Sequence, residues 1–396
     1  LKKKELPHIQ IFTGIRRCGK STLFRLLIND LMQSVDPREI LLVNVDDPNY
    51  ISIWKNANDL YPLIETAEKI TFHKIRYLFI DEIQHVINWE LFAKSAYDCG
   101  VFKKIYITGS NSNLLGNEFA ALLSGRYFSN EIRPFSMSEI LEFKGFSNKL
   151  YALSHKPELL NIMDEVLETG CFPEIVVNQL SKEVSGELLR NYYDSIVLKD
   201  CIVYNNIRDV QSFYQLLHYI MSNVGSCFSY SSLAKALESN ENSIRNHLQC
   251  LQESYIIGDV NNFSFSEKTT SRPQHKSYCI DNGLMHATTY RFSPKSGTAL
   301  ENVVYNELIN NGYQNISFGS RNGECDFIAS KDDSIHAFQV CYELTPENRA
   351  REIKGFSALG DKVKFDSKTI ITYNQQEVIG DIQVVPLWLA FGFNEK

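Results

Sequence analysis

Lys20 and Ser21 close Gly14-Ile15-Arg16-Arg17-Cys18-Gly19-Lys20-Ser21, a complete G-x-x-x-x-G-K-[ST] phosphate loop. The two glycines let the backbone fold tightly, so that its N–H groups surround a phosphate. A helix-like stretch from Thr22 to Met32 follows and turns its positive end toward the same phosphate. Gly14 to Ser21 and Thr22 are therefore expected to bind ATP, with Lys20 reaching the β- and γ-phosphates and Ser21 ligating Mg²⁺. The competing reading is a Gly-rich turn before a core helix.

Two more stretches could complete the chemistry. Tyr77-Leu78-Phe79-Ile80-Asp81-Glu82 is an apolar run that ends in two carboxylates. Strand C-termini face the ligand crevice of a parallel α/β sheet. Asp81 is then expected in the Mg²⁺ shell, and Glu82 is expected to orient and polarise the attacking water. The run Lys103 to Asn111 ends in small polar groups: Ser110 first, then Asn111 and Thr108, are candidates to touch the γ-phosphate and the water together. Arg126, in Ser124-Gly125-Arg126, is the candidate to neutralise γ-phosphate charge from a neighbouring subunit, against the plainer reading of a surface arginine. Arg133 is a second such arginine, while Arg16 and Arg17 read as positional or solvent-facing.

The elements that must hold these groups are legible as short apolar runs separated by helix-length segments: Ile9–Phe12, Ile40–Val45, Tyr77–Ile80, Ile105–Thr108 and Phe128–Pro134. Val, Ile, Leu, Phe and Tyr dominate them with little alternation, as in strands covered on both faces. The expected fold class is α/β, a P-loop parallel sheet over residues 1–136 with the Thr108 strand between the phosphate-loop strand and the acid-bearing one.

Composition narrows the setting. The chain has 396 residues, 44% hydrophobic and 22% charged, which fits two to four globular domains. No stretch reaches the roughly 18 apolar residues a membrane span needs, and no signal peptide is evident. The chain starts on Leu1 with its first strand close behind, so a natural N-terminus upstream is expected. Nine cysteines occur singly, none in C-x-x-C, which argues against zinc and for reduced thiols in a cytoplasmic setting. Net charge is −7, concentrated in residues 151–270, where 8 Lys+Arg face 15 Asp+Glu. Broad adhesion to nucleic acid is not indicated, although a local basic patch stays open.

Taken together, these motifs resemble the AAA+ ATPases of bacteria and archaea that carry a winged helix and a C-terminal PD-(D/E)XK nuclease-like domain of unassigned function. The resemblance rests on Ile11–Leu23, Phe79-Ile80-Asp81-Glu82-Ile83-Gln84, Thr108-Gly109-Ser110 and Glu168-Thr169-Gly170-Cys171-Phe172-Pro173-Glu174. Tyr278-Cys279-Ile280-Asp281-Asn282-Gly283 and Leu300-Glu301-Asn302 also fit, so the likeness spans nearly the whole chain. It implies ATP binding, slow hydrolysis and, for residues 137–208, a helical lid over the nucleotide.

Residues 209–290 read as a winged helix. Helices are expected over Asp209–Val224, Ser229–Glu238 and Asn240–Tyr255, the third presenting Asn242, Arg245, Asn246 and Gln249 outward, where they could read bases. A wing with Lys268, Arg272, His275 and Lys276 could contact phosphate, though a structural or protein-contact role competes. In residues 291–396, Glu301, Glu324-Cys325-Asp326 and Gln339-Val340-Cys341 imitate a nuclease pattern in which Cys341 takes the lysine position. Lys354 is a conceivable substitute, and an inactive domain is the expectation.

The leading expectation is an ATPase whose nucleotide state moves a lid and a winged helix, acting on DNA or a protein client as a homo-oligomer. A nucleotide-gated DNA-binding module with negligible turnover and an ATP-assisted nuclease are the alternatives.

Overall fold

The computed structural model describes residues 6–49, 56–116, 121–263, 274–289, 296–320, 323–360 and 363–393. The chain divides into two compact units, residues 1–133 with 253–255, and residues 134–252 with 256–396. No helix among the described residues is long and apolar enough to cross a membrane.

In the first unit, β1 (Ile9–Thr13), β2 (Ile40–Asn44), β3 (Tyr77–Asp81), β4 (Lys104–Gly109) and β5 (Tyr127–Glu131) pair in the order β2-β3-β4-β1-β5, all parallel. β4 lies between β1 and β3, as the motif order requires. Both faces are covered, which explains the weak alternation of these strands. Ile9, Ile11, Leu78, Ile80, Ile105 and Ile107 pack with Ile64 of helix Leu60–Thr71 and Phe92 of helix Trp89–Asp98. Tyr77, Phe79 and Tyr106 meet Phe24 of helix Lys20–Leu31 on the other face. Phe79 stacks on Tyr106 with ring centroids 4.4 Å apart and takes the edge of Phe24 at 5.1 Å. Truncating a buried aromatic of this kind costs about 3–5 kcal/mol. Parallel pairing sets Thr13, Asp81 and Gly109 along one edge of the sheet.

The second unit opens with helices. Met137–Phe143 starts on a capping box formed by Ser136 and Glu139, and Lys156–Thr169 buries Leu159, Ile162, Met163, Val166 and Leu167 along one face. Lys182–Ser195 continues into a π-helical stretch, Ile196–Val203. Val210–Ser222, Tyr230–Ala236 and Glu241–Glu253 follow, with Ser229 capping the second of these three.

Among the described residues, nine strands form one sheet. They are β6 (Cys227–Phe228), β7 (Ile257–Asn262), β8 (His275–Cys279), β9 (Gln314–Gly319), β10 (Cys325–Lys331), β11 (Ser334–Val340), β12 (Ser367–Thr372), β13 (Glu377–Ile379) and β14 (Ile382–Pro386). Their order is β13-β14-β12-β11-β10-β9-β7-β8-β6. The parallel pairing of β7 with β9 carries the sheet across residue 290, where the sequence suggests a division.

Three of the stretches that carry the family resemblance meet in this unit. Asp281 accepts from the Cys171 backbone N at 2.5 Å and from the Leu284 N at 3.0 Å, capping helix Asn282–Thr288. Asn282 Nδ2 donates to the carbonyls of Leu167 and Ala299, and Asn302 Nδ2 donates to Asn282 Oδ1 at 2.8 Å. A Cβ on Gly283 would stand 2.1 Å from the Thr169 carbonyl, so the two helices approach too closely for any side chain there. These residues form a buried polar knot.

Candidate nucleotide site

The loop after β1 has the backbone that its glycines predict. Gly14 and Gly19 sit at φ 144° and 104°, and Arg17 is also left-handed at φ 71°. A Cβ on Gly14 would come within 2.0 Å of the Ile132 carbonyl. Gly19 is the N-cap of helix Lys20–Leu31, and no side chain caps that end. Its first N–H groups are therefore left for an anion. Ser21 and Thr22 are exposed on the first turn.

Lys20 is buried, and its Nζ donates to the carbonyls of Gly14 at 2.9 Å and Ile15 at 3.0 Å, curling back over its own loop. The same ammonium lies 3.9 Å from Glu82 Oε1. Arg16 instead pairs outward with Asp46 at 3.6 Å, and His85 approaches the same carboxylate at 3.5 Å. Cys18 packs beside Gly14; burial pushes its thiol pKa up against the pull of Lys20, so it stays protonated.

Asp81 and Glu82 stand at the tip of β3 and are tied to β4 by one hydroxyl. Thr108 Oγ1 donates to Asp81 Oδ1 and accepts from the Glu82 backbone N at 3.0 Å. Glu82 takes a left-handed backbone, φ 57°. Its Oε2 accepts from Gln84 Nε2 at 2.6 Å, and the same amide donates to Ser110 Oγ at 3.2 Å. Burial opposes the Glu82 carboxylate, yet Lys20, Gln84, Arg16 and Ser110 together hold its pKa below the ordinary glutamate value. Ser110 and Asn111 are both buried at the tip of β4.

Lys20 meets Glu82 directly, Thr108 joins Asp81 to the Glu82 backbone, and Gln84 links Glu82 to Ser110, so the five residues form one connected cluster. Gln84 appears in the sequence only as part of a recognisable string, and its bridging role depends on Ser110, which lies 26 residues on. Arg126 is elsewhere. It precedes β5 at the opposite end of the sheet from Gly14, where its guanidinium grips Asp98 at 2.7 and 3.3 Å. It does not reach the loop of its own chain. Arg133 pairs with Glu131 at 2.5 Å.

A second charged cluster lies in the other unit. Lys276 of β8, only 1% exposed, is surrounded by Glu324 at 2.8 Å, Glu301 at 3.5 Å and Asp326 at 4.0 Å. Tyr278 donates to Glu301 at 2.7 Å, Val340 N donates to Asp326 Oδ2 at 2.8 Å, and Gln339 Oε1 accepts from the Asp326 N at 2.7 Å. Cys341 faces an apolar cluster, and Lys354 makes no ion pair among the described residues. The expectation that His275 and Lys276 face phosphate on a wing is corrected here. Both are buried, because β8 lies between β7 and β6. Lys268 and Arg272 lie outside the described residues.

Comparison with known proteins agrees with the N-terminal reading. A family model described as an AAA domain matches residues 7–141, and a domain of unknown function (DUF8612) matches residues 160–295. The protein MJ1544 of Methanocaldococcus jannaschii is 32% identical over 406 residues, covering 97% of this chain and 88% of its own length. A Haemophilus influenzae protein is 30% identical over 391 residues, covering 96% and 94%. Among solved structures, the Aeropyrum pernix ORC1 protein in complex with DNA covers 72% of this chain and 87% of its own at 12% identity, with a TM-score of 0.33. A match that partial bears on neither ligand nor partner. The chain belongs to one family with the Methanocaldococcus and Haemophilus proteins, and its N-terminal unit carries an AAA domain.

Proposed function

We propose that the N-terminal unit binds Mg²⁺–ATP and hydrolyses it. The observation that carries this reading is the meeting of Lys20, Asp81 and Glu82 at the mouth of an uncapped helix N-terminus. Gly14 to Thr22 would wrap the phosphates, and Lys20 would exchange the carbonyls of Gly14 and Ile15 for β- and γ-phosphate oxygens. Ser21 and Asp81 would hold Mg²⁺, which supplies positive charge at the phosphates when bound. Glu82, ionised beside Lys20, orients and polarises the attacking water, while Ser110 and Asn111 contact the γ-phosphate side. Arg126 acts on the nucleotide of a neighbouring copy in a homo-oligomer.

The reading extends to the second unit. Residues 137–208 serve as a helical lid and residues 209–290 as a winged helix. Residues 291–396 form a nuclease-like domain without cleavage activity. Hydrolysis moves the lid and winged helix to act on DNA or a protein client. Among the described residues no disulfide joins any of the nine cysteines, which suits a reducing, cytoplasmic setting. Phosphate release by the wild type, lost in Glu82→Gln with ATP binding retained, supports the ATPase. ATP binding without release in either protein sinks it in favour of a nucleotide-gated module.

The DNA reading rests on a separate observation. Asn242, Arg245, Asn246 and Gln249 are all exposed on helix Glu241–Glu253, and Arg245 lies 4.0 Å over the Tyr230 ring, held outward. A salt-dependent shift in DNA anisotropy, lost in Arg245→Ala, is the expected result. No shift even at low salt leaves a protein client.

A further inference from the structure

Lys276 is the most enclosed lysine side chain among the described ion pairs, 2% exposed, and three carboxylates converge on it. They come from separate elements: Glu301 from helix Ser296–Asn310, Asp326 from β10, and Glu324 from the segment before β10. An ammonium has three N–H donors, and here each has a carboxylate to face. Phe318 covers the ammonium from a further side at 5.4 Å. We propose that the Lys276 ammonium is a built-in cation, standing where this carboxylate set would otherwise hold a divalent metal ion.

The chemistry of the donor set supports this. Carboxylates gathered from a helix and a strand, one of them 59% exposed and free to adjust, are the hard oxygen ligands that Mg²⁺ and Mn²⁺ take. Those ions need oxygens at about 2.0–2.2 Å, whereas these oxygens stand 2.8 to 4.0 Å from a nitrogen, one at hydrogen-bond distance and two at ion-pair distance from an ammonium. Among the described residues no group of three His, Cys, Asp or Glu side chains is set to hold a metal. The surrounding hydrogen bonds fix the carboxylates without help from an ion: Tyr278 holds Glu301, and Val340 N holds Asp326. The lysine therefore does the clamping of a structural metal, tying β8 to β10 and to helix Ser296–Asn310, and it does so independently of divalent ions. This stands apart from the ATPase reading and shares no residue with it.

The test is Mn²⁺ titration by EPR of the full chain without nucleotide, for wild type, Lys276→Ser and Lys276→Ser/Asp326→Asn. Any weak binding at Ser21 and Asp81 is common to all three. Lys276→Ser should gain one Mn²⁺ equivalent, at least about tenfold tighter than wild type shows, and the added Asp326→Asn should remove it. A folded Lys276→Ser that gains nothing overturns the proposal. So does a wild-type equivalent that Asp326→Asn abolishes. Should Lys276→Ser fail to fold, wild-type melting decides. The same Tm in EDTA and in millimolar Mn²⁺ is expected, and a metal-induced rise absent from Asp326→Asn overturns the idea.

Discussion

Lys20 Nζ and Glu82 Oε1 stand 3.9 Å apart, both largely buried, so the residue proposed to grip phosphate also helps hold down the pKa of the residue proposed to orient water. Removing either changes two functions at once, which is why the conservative Glu82→Gln is more informative than a Lys20 truncation. Glu82→Gln should lower turnover by about a hundredfold or more while ATP still binds, read by phosphate release and calorimetry.

The pH profile follows from the same contact. A glutamate whose pKa is depressed stays ionised below its ordinary range, so activity governed by Glu82 is present above that lowered pKa and is lost only as pH falls through it. Gln84→Leu removes one of the bonds that lower it and leaves Lys20 in place. The acid limb of kcat/KM should move to higher pH in that variant. An unmoved limb would show that another group governs it.

Thr108 is the joint between the two carboxylates. Thr108→Val keeps the shape of the side chain but leaves the Glu82 N–H without its acceptor. Stability should fall by about 1–3 kcal/mol in urea unfolding, and turnover should fall further than stability explains.

Arg126 tests assembly. Its own chain holds it against Asp98, far from the loop it would serve. If it works on a neighbour, wild-type specific activity rises with protein concentration and Arg126→Ala abolishes that rise. Specific activity independent of concentration in both proteins would retire the trans role.

Asp281 gives the second unit its own pH dependence. Burial raises its pKa to about 6, although the N–H groups of Cys171, Leu284 and Gly283 pull the other way. The folded state then binds the proton more tightly than the unfolded chain, whose value is 3.8. The stabilising contribution is complete below the unfolded value and is lost as pH rises through about 6, a swing of about 3 kcal/mol. Asp281→Asn should lack this swing between pH 4 and 7 in thermal melts, whatever its absolute stability.

The geometry of the loop after β1 was readable from sequence because it is local. Gly14 to Ser21 are contiguous, and tight backbone turning, an open helix end and a lysine six residues after the first glycine need nothing from elsewhere in the chain. The acid pair at the end of β3 was readable for a similar reason, since parallel strands bring their C-termini to one edge. What the tertiary structure alone decided are the meetings of residues far apart: Gln84 with Ser110, Gly283 with Thr169, and above all Lys276 with Glu301, Glu324 and Asp326. Lys276 has the composition of a solvent-facing wing residue, and only the pairing of β8 between β7 and β6, with β9 beyond β7, turns it inward. Spacing along a chain carries local geometry, whereas the burial of a charge depends on strand neighbours that no short stretch of sequence encodes.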